Sequence, residues 1–384
     1  MGETYLCHMS PLPPPLLIAD HAALSALVDD LSAHAIVAVD TESNSLHAYR
    51  EQVCLIQFST PTTDYILDPL ALPDLSALAP FFASPAHEKI FHAAEGDVRG
   101  LGRDFGFTFT NVFDTMTAAR TLGRAQVGLA SVLQAEFGVT LQKTHQRADW
   151  GRRPLRADML DYARLDTHYL PALRDRLHAA LVTHDRLAEA LEEFARLAAL
   201  PPSPSLLVPD PAAFWRVKGA RDLSPRQAAV LQAVFTYRER EAARANVPPF
   251  KILGEPTLLA LAQQLPRQRE ALAGIVAMTP GQIHRHGQAL LGAIEEGLVA
   301  PPPTPPTVVS EPDDVLARYD RLQAWRKQQA QSRGVESDII VPKSTLWDLA
   351  RRPPRSLADL TSVVDLGPIR RQMYGQALLD VVSR

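Results

Sequence analysis

The spacing of apolar positions changes several times along the 384 residues, and each change marks a different kind of element. Leu24, Leu27 and Leu31 recur at helical spacing and predict a helix over Ala22 to Leu31. The apolar run Ala35 to Val39 then reads as a strand. Val53 to Phe58 and Tyr65 to Leu67 read as two more, parted by the turn Pro61-Thr62-Thr63-Asp64. Together these three predict a β-meander. A helix is expected over Leu75 to Phe82, a strand over Lys89 to His92, and a helix from Asp97 to Phe105 with Val98, Leu101 and Phe105 on one face. From Phe113 onward the pattern is helical, with one long helix expected from Ala157 to Leu181. Strands first, with helices between and after them, predict an α/β domain with a mixed sheet.

Two proline-rich stretches punctuate the rest, Leu200-Pro201-Pro202-Ser203-Pro204 and Pro301-Pro302-Pro303-Thr304-Pro305-Pro306. Such runs favour stiff, extended linkers over packed structure. The segments on either side of the second one are related. A shift of 88 residues, without a gap, lays Tyr237-Arg238 on Trp325-Arg326, Thr257-Leu258 on Thr345-Leu346, and Gly287-Gln288-Ala289-Leu290-Leu291 on Gly375-Gln376-Ala377-Leu378-Leu379. Both copies are helical in pattern, so the tail is expected to be a tandem repeat of one all-α bundle. The expected organisation is a first domain over 1–200, a linker over 201–212, one repeat over 213–298, a linker over 299–312 and the second repeat over 313–384.

Composition excludes some classes. The 46 % hydrophobic content fills real cores. Cys7 and Cys54 cannot build a disulfide framework, and Cys54, inside Val53-Cys54-Leu55-Ile56, is expected to be a buried thiol. Met1 to Pro15 lacks the charged-then-apolar layout of a signal peptide, and no apolar stretch is long enough to span a bilayer. A soluble, cytoplasmic, monomeric protein with no membrane partner is the expectation. The net charge of -4 hides an asymmetry. Up to Ala212 there are 16 basic and 26 acidic residues, a balance of -10; from Ala213 there are 23 and 17, a balance of +6. An acidic half joined to a basic half points weakly to nucleic-acid work.

The acidic half holds three carboxylate pieces. Asp40 and Glu42, spaced i, i+2 at the end of a strand, point to the same side. Held that close they repel unless a cation lies between them, and Mg²⁺ or Mn²⁺ prefers such oxygen ligands. The alternative for Asp40-Thr41-Glu42 is a solvated strand end whose Asp or Thr caps the next element. Asp97 follows the strand ending at His92 and either joins them or opens the next helix as a cap. Tyr162 and Asp166, four apart, share one helical face. Asp166 has no capping reason to be inside a helix, so it either belongs to a site or pairs with Arg164 or Arg174.

Asp-x-Glu on a first strand, Asp after a later strand and Tyr-x-x-x-Asp on a late helix together resemble the DEDD superfamily of 3′–5′ exonucleases, in its tyrosine-containing branch. Phe113 to Arg120, Asp149-Trp150 with Arg153-Pro154-Leu155, and Asp161 to Asp166 resemble the ribonuclease D subgroup, and the tandem tail resembles two helicase-and-RNase-D C-terminal (HRDC) domains. The sister branch places a His five before the last Asp, where this chain has Asp161, and the family spacing from His92 selects Asp97 over Glu95.

The resemblance implies an RNase H-like mixed sheet flanked by helices, followed by two small helical bundles. It implies that Asp40, Glu42, Asp97 and Asp166 bind two divalent cations, Mg²⁺ or Mn²⁺, and that Tyr162 orients the attacking water. The expected reaction releases nucleoside 5′-monophosphates from RNA 3′ ends, in tRNA or other structured RNA maturation, with DNA ends or nucleic-acid binding without catalysis as alternatives. Asp114 either supports the site from behind or caps the helix over Thr115 to Leu122. Lys143, Arg147, Arg152 and Arg153 are candidates for substrate phosphates or a solvated basic loop. Gln57 and His92 read as satisfied polar neighbours. In the tail, Trp325-Arg326-Lys327 and Phe250-Lys251 pair cations with aromatics, as nucleic-acid binding requires. Tyr237 and Trp325, being equivalent, suit a core better.

Overall fold

The computed structural model describes residues 12–142, 144–204, 210–307 and 310–383, so Cys7 and Lys143 lie outside the described residues. The first part of the chain runs β1 (Leu16–Ile18), α1 (His21–Ala33), β2 (Ile36–Ser43), β3 (Val53–Ser59), β4 (Asp64–Leu67), α2 (Ala79–Ala83), β5 (Glu88–Phe91), α3 (Glu95–Phe105) and β6 (Val112–Asp114). Helices α4 (Thr115–Thr121), α5 (Leu129–Phe137), α6 (Ala157–His168), α7 (Leu170–Thr183) and α8 (Leu187–Ala198) complete it. The strands form one mixed sheet in the order β1-β4-β3-β2-β5-β6. The meander β2-β3-β4 is antiparallel, and the outer pairings are parallel. One face packs Leu24, Leu27 and Leu31 of α1, Phe81 and Phe82 of α2, and Val98 and Leu101 of α3. The other carries Ala118 and Ala119 of α4, Leu173 and Leu177 of α7, and Phe194 of α8.

Four expectations need correction. The long helix from Ala157 breaks at Tyr169 into α6 and α7, because Pro171 has no N–H to continue the ladder. Helix α3 starts at Glu95, so Asp97 lies in its first turn and does not open it. Over Leu75 to Phe82 a 3-10 turn at Ser76–Leu78 precedes the short α2. The three-residue strands β1 and β6 are too short to show a period of two, and β6 occupies Phe113, where helix was expected.

The repeats keep register. The first comprises α9 (Pro225–Ala245), α10 (Pro249–Ile252), α11 (Glu255–Gln264) and α12 (Pro280–Val299). The second comprises α13 (Asp313–Arg333), α14 (Ser337–Ile340), α15 (Lys343–Arg351) and α16 (Pro368–Val382). Every first residue in one set stands 88 positions before its counterpart. Asn246 and Gly334, the equivalent residues ending α9 and α13, both take the left-handed conformation. Tyr237 and Trp325 are buried, as core residues should be, and Tyr237 donates to or accepts from His286 at 2.8 Å where Trp325 packs edge-on against Tyr374.

The chain divides into two compact units. One unit joins the sheet domain to the second repeat; the other joins Pro204–Ser310 to the short stretch Asn44–Gln52. In the latter, Tyr49 enters the core with Phe214, Trp215 and Val217, and its hydroxyl lies 3.1 Å from Glu239.

In the former, the second repeat sits on α8 and α4 through charge. Arg333 forms a bidentate pair with Glu189 (2.9 and 2.6 Å) and reaches the Tyr374 hydroxyl. Arg370 meets Glu192 at 3.1 Å and Glu193 at 3.3 Å, while Arg120 meets Glu336 and Asp338. Two glycines are required by closeness: a Cβ on Gly123 would overlap the Gly334 carbonyl oxygen, and one on Gly367 would overlap the Glu192 carboxylate. In the first repeat the positions of Arg333, Glu336, Asp338 and Arg370 hold Ala245, Pro248, Phe250 and Gln282, which carry no charge and cannot make these ion pairs.

Candidate active site

Strand β2 delivers Asp40 and Glu42 to the side of the sheet that faces α6. Pairing across the strands proves the direction. Ala38 stands opposite Ser59, Asp40 opposite Gln57, and Glu42 opposite Leu55, while the Ser59 hydroxyl touches Thr167 of α6 at 2.7 Å. Helix α6 presents Tyr162 and Asp166 to the same space, beside a cavity of about 500 Å³ lined by Leu141, His145, Asp161, Tyr162, Leu165 and Asp166. Asp97 arrives from α3 and accepts a 2.5 Å hydrogen bond from Thr41, which stands between the two β2 acids.

Burial raises all four carboxylates, and their neighbours add to the shift at Asp40 and Glu42. Burial, followed by Asp97, Asp166 and Glu42, raises Asp40 well above the ordinary carboxylate range. Glu42 is pushed up to about 9 by burial and then by Asp166 and Asp97. Burial raises Asp97 and Asp166 to about 7 each, with the Thr41 bond opposing the shift at Asp97. Without a cation such a cluster relieves its repulsion by keeping protons. As it stands, no group of three Asp, Glu, His or Cys side chains among the described residues is arranged to hold a metal ion. The donor set is nonetheless all carboxylate oxygen with no soft ligand, which suits Mg²⁺ or Mn²⁺. The residues fit the group in kind and in charge.

Tyr162 lies between the rings of His145 (5.5 Å, edge-on) and Trp150 (6.1 Å). Burial, then Asp166, Glu42 and Asp40, raises its pKa further above the free phenol value, so it stays neutral. The structural alternatives for Asp166 are not realised: Arg164 pairs with Asp161 at 3.0 Å and Arg174 with Glu88 at 2.6 Å. Glu95 sits on the surface against Arg99. Asp114 caps α4, the second of the two roles expected of it. Its Oδ1 accepts from Met116 as a helix cap and from the Ala93 amide in the turn before α3, and its Oδ2 accepts from Thr117.

The basic candidates separate. Arg153 is committed to the fold: its Nε and one terminal nitrogen each bond the buried Asp68 carboxylate at 2.6 Å, and it also donates to the Cys54 and Trp150 carbonyls. Arg152, highly exposed, pairs with Asp149 at 3.1 Å. Arg147 is exposed in the loop between α5 and α6. Cys54 is buried, and burial pushes its thiol up to about 12.

Three residues escaped the sequence reading. Thr41 was seen only as a possible cap, yet it is the hydrogen-bond partner of Asp97. His145, against Tyr162, carried only its place in the basic loop as a signal. Gln57 corrects an expectation outright. It is fully buried, and neither end of its amide has a hydrogen-bond partner. His92 does meet a partner, Thr115 at 2.9 Å, and burial lowers it to about 4, leaving it neutral.

The chain is similar to known proteins over most of its length. A 3′–5′ exonuclease family matches residues 16–181, and the HRDC domain matches twice, over 227–294 and 315–382. A ribonuclease D from Granulibacter bethesdensis is 32 % identical over 377 residues, covering 96 % of this chain and 93 % of its own. One from Acidiphilium cryptum is 34 % identical over 285 residues, covering 73 % and 72 %. The crystal structure of Escherichia coli RNase D shares the fold, with a TM-score of 0.71 at 23 % identity over 97 % of this chain and 99 % of that one.

Proposed function

The chain belongs to the ribonuclease D family and is a 3′–5′ exoribonuclease, and from that premise we propose which of its residues do the work. Asp40, Glu42, Asp97 and Asp166 would hold two divalent cations, Mg²⁺ or Mn²⁺, which would supply Lewis acidity for hydrolysis of the terminal phosphodiester. The observation that carries the assignment is the placement of the four acids on three separate elements: Asp40 and Glu42 on the β2 face that looks at α6, Asp166 on α6, and Asp97 on α3 bonded to Thr41 between the β2 pair. Functional sites gather such strained ionisable groups.

The chain's own residues do the rest. Thr41 orients the Asp97 carboxylate through its 2.5 Å bond, and Asp114 fixes the turn that places α3. Tyr162, neutral and next to Asp166, orients the attacking water and takes no proton from it. The cavity beside α6 receives the terminal nucleotide, with His145 and Tyr162 on its wall. Arg147 and Arg152 draw the phosphate backbone in, while Arg153 acts only by bracing the loop. Lys143 belongs to the same basic stretch by its position in the sequence. In the first repeat Phe250, 58 % exposed beside Lys251, offers a stacking face to RNA.

The substrate is a structured RNA 3′ end such as a tRNA precursor, the product a nucleoside 5′-monophosphate, and the enzyme works as a cytoplasmic monomer. No helix among the described residues is long and apolar enough to cross a membrane. The test is incubation of purified protein with 3′- and 5′-labelled RNA and matched DNA, with Mg²⁺, Mn²⁺ or EDTA. Stepwise loss from RNA 3′ ends with metal, abolished by EDTA and by Asp40→Ala or Asp166→Ala in folded protein, is expected. Near-normal activity in either variant refutes the site, and equal rates on DNA refute RNA preference.

A further inference from the structure

Gln57 stands directly opposite Asp40 in the β2-β3 pairing, where facing side chains have Cβ atoms about 5 Å apart. Two residues along β3, Ser59 touches Thr167, the neighbour of Asp166, so Gln57 also points toward α6. It is wholly inaccessible, and neither amide atom has a hydrogen-bond partner. Several polar groups nearby are partnered: Ser59 has Thr167 and Asp64, Asp114 has Ala93, Met116 and Thr117, and Thr41 has Asp97. His92 Nε2 and Trp150 Nε1 each leave one nitrogen over, whereas Gln57 leaves both its donor and its acceptor. A buried amide with nothing to bond is costly and does not persist without a compensating state.

We propose that Gln57 is a positioning residue for the metal-loaded site: its NH₂ donates to the Asp40 carboxylate and its carbonyl accepts from a water that enters with the cation. The inference rests on the metal-site assignment above. A metal-binding carboxylate is an acceptor only, and the amide facing it is a donor of matching reach. Divalent cations of this kind keep some of their water, which brings the O–H that the Gln57 carbonyl lacks. Metal sites commonly depend on such outer partners, whose loss weakens binding about 10- to 100-fold.

The distinguishing experiment compares wild type with Gln57→Met, which keeps the shape and removes both polar ends. In EDTA the variant melts at or above the wild-type temperature, because no buried amide is left unpaired. Its dissociation constant for Mn²⁺, followed by electron paramagnetic resonance, rises at least 10-fold, and kcat falls while KM for RNA holds. Gln57→Glu keeps the volume and exchanges the donor for an acceptor; it too loses Mn²⁺ affinity. Mn²⁺ affinity within about threefold of wild type in either folded variant overturns the proposal, whatever happens to stability. Wild-type protein that binds no Mn²⁺ refutes the site itself, whereas binding by wild type and Gln57→Met alike, lost in Asp166→Asn, refutes the role of Gln57 alone.

Discussion

Replacing Arg333 by Met tests whether the second repeat is a working part of the sheet domain's stability. Arg333 is the pivot of that contact. Two of its nitrogens bond the two oxygens of Glu189, whose side chain is only 3 % exposed, and Arg186 binds the Arg333 carbonyl at 2.9 Å. Met keeps the apolar stem and removes the charge, so Glu189 is left buried without its cation. Losing one partner of a buried pair costs about 3–5 kcal/mol, most of it from the stranded charge. The Arg333 side chain is 18 % exposed, so the lower end, about 3 kcal/mol, applies. For a unit of this size that lowers the melting temperature by on the order of 10 °C. Removing Glu189 as well, in Arg333→Met with Glu189→Met, strands nothing and recovers most of the loss. The assay is a double-mutant cycle read by thermal denaturation, alongside limited proteolysis at the Pro301–Pro306 stretch, which becomes more readily cut when the repeat lifts away. A single variant within about 0.5 kcal/mol of wild type, or a double variant no better than the single, refutes the reasoning.

Gly367→Ala places a methyl group on the Glu192 carboxylate that holds Ile369 and Arg370, and costs about 1–3 kcal/mol; the same proteolysis checks it, and unchanged cutting counts against a tight contact. Tyr162→Phe removes the hydroxyl beside Asp166 and lowers kcat about 10²-fold, with Mn²⁺ affinity kept; a loss of metal binding instead would make Tyr162 a ligand. In EDTA, the raised folded pKa values of Asp97 and Asp166 (about 7) and Glu42 (about 9) contribute stability that is full below the ordinary carboxylate range, near pH 4. That contribution is lost as pH rises through 7 and then 9, so the melting temperature falls across this window. Mn²⁺ reverses the fall, because the cation takes the place of the protons, and a profile that is flat in EDTA speaks against a shared cluster.

Much of this was legible in the residues. The strand carrying Asp40 and Glu42, the meander, the helical face of Tyr162 and Asp166, and the 88-residue repeat all follow from periods of two, 3.6 and self-similarity, which are local properties. What escaped depends on contacts between distant parts of the chain. Gln57 looks satisfied because glutamine in a strand usually finds a partner; only cross-strand register shows that its neighbour is Asp40. Arg153 looks like a phosphate ligand until Asp68, 85 residues away, is seen to occupy it. The proline-rich stretches suggest three beads in a row, yet the unit containing the sheet is completed by the last repeat and gives up Asn44–Gln52 to the other. Composition reports a linker's stiffness and says nothing about where its far end docks.

The gapless duplication has a genetic consequence. Recombination between the two copies, pairing any point in α9 with its counterpart in α13, would delete one 88-residue period and leave a single hybrid module in frame. Every residue that seats the second repeat, from Arg333 and Gly334 through Glu336 and Asp338 to Gly367 and Arg370, lies at or beyond the end of α13. The hybrid would therefore inherit the whole docking face, while Phe250 and Lys251 would be lost. A lineage could shed one module in a single step and keep its nuclease domain capped, giving up the surface that belongs to the first copy alone.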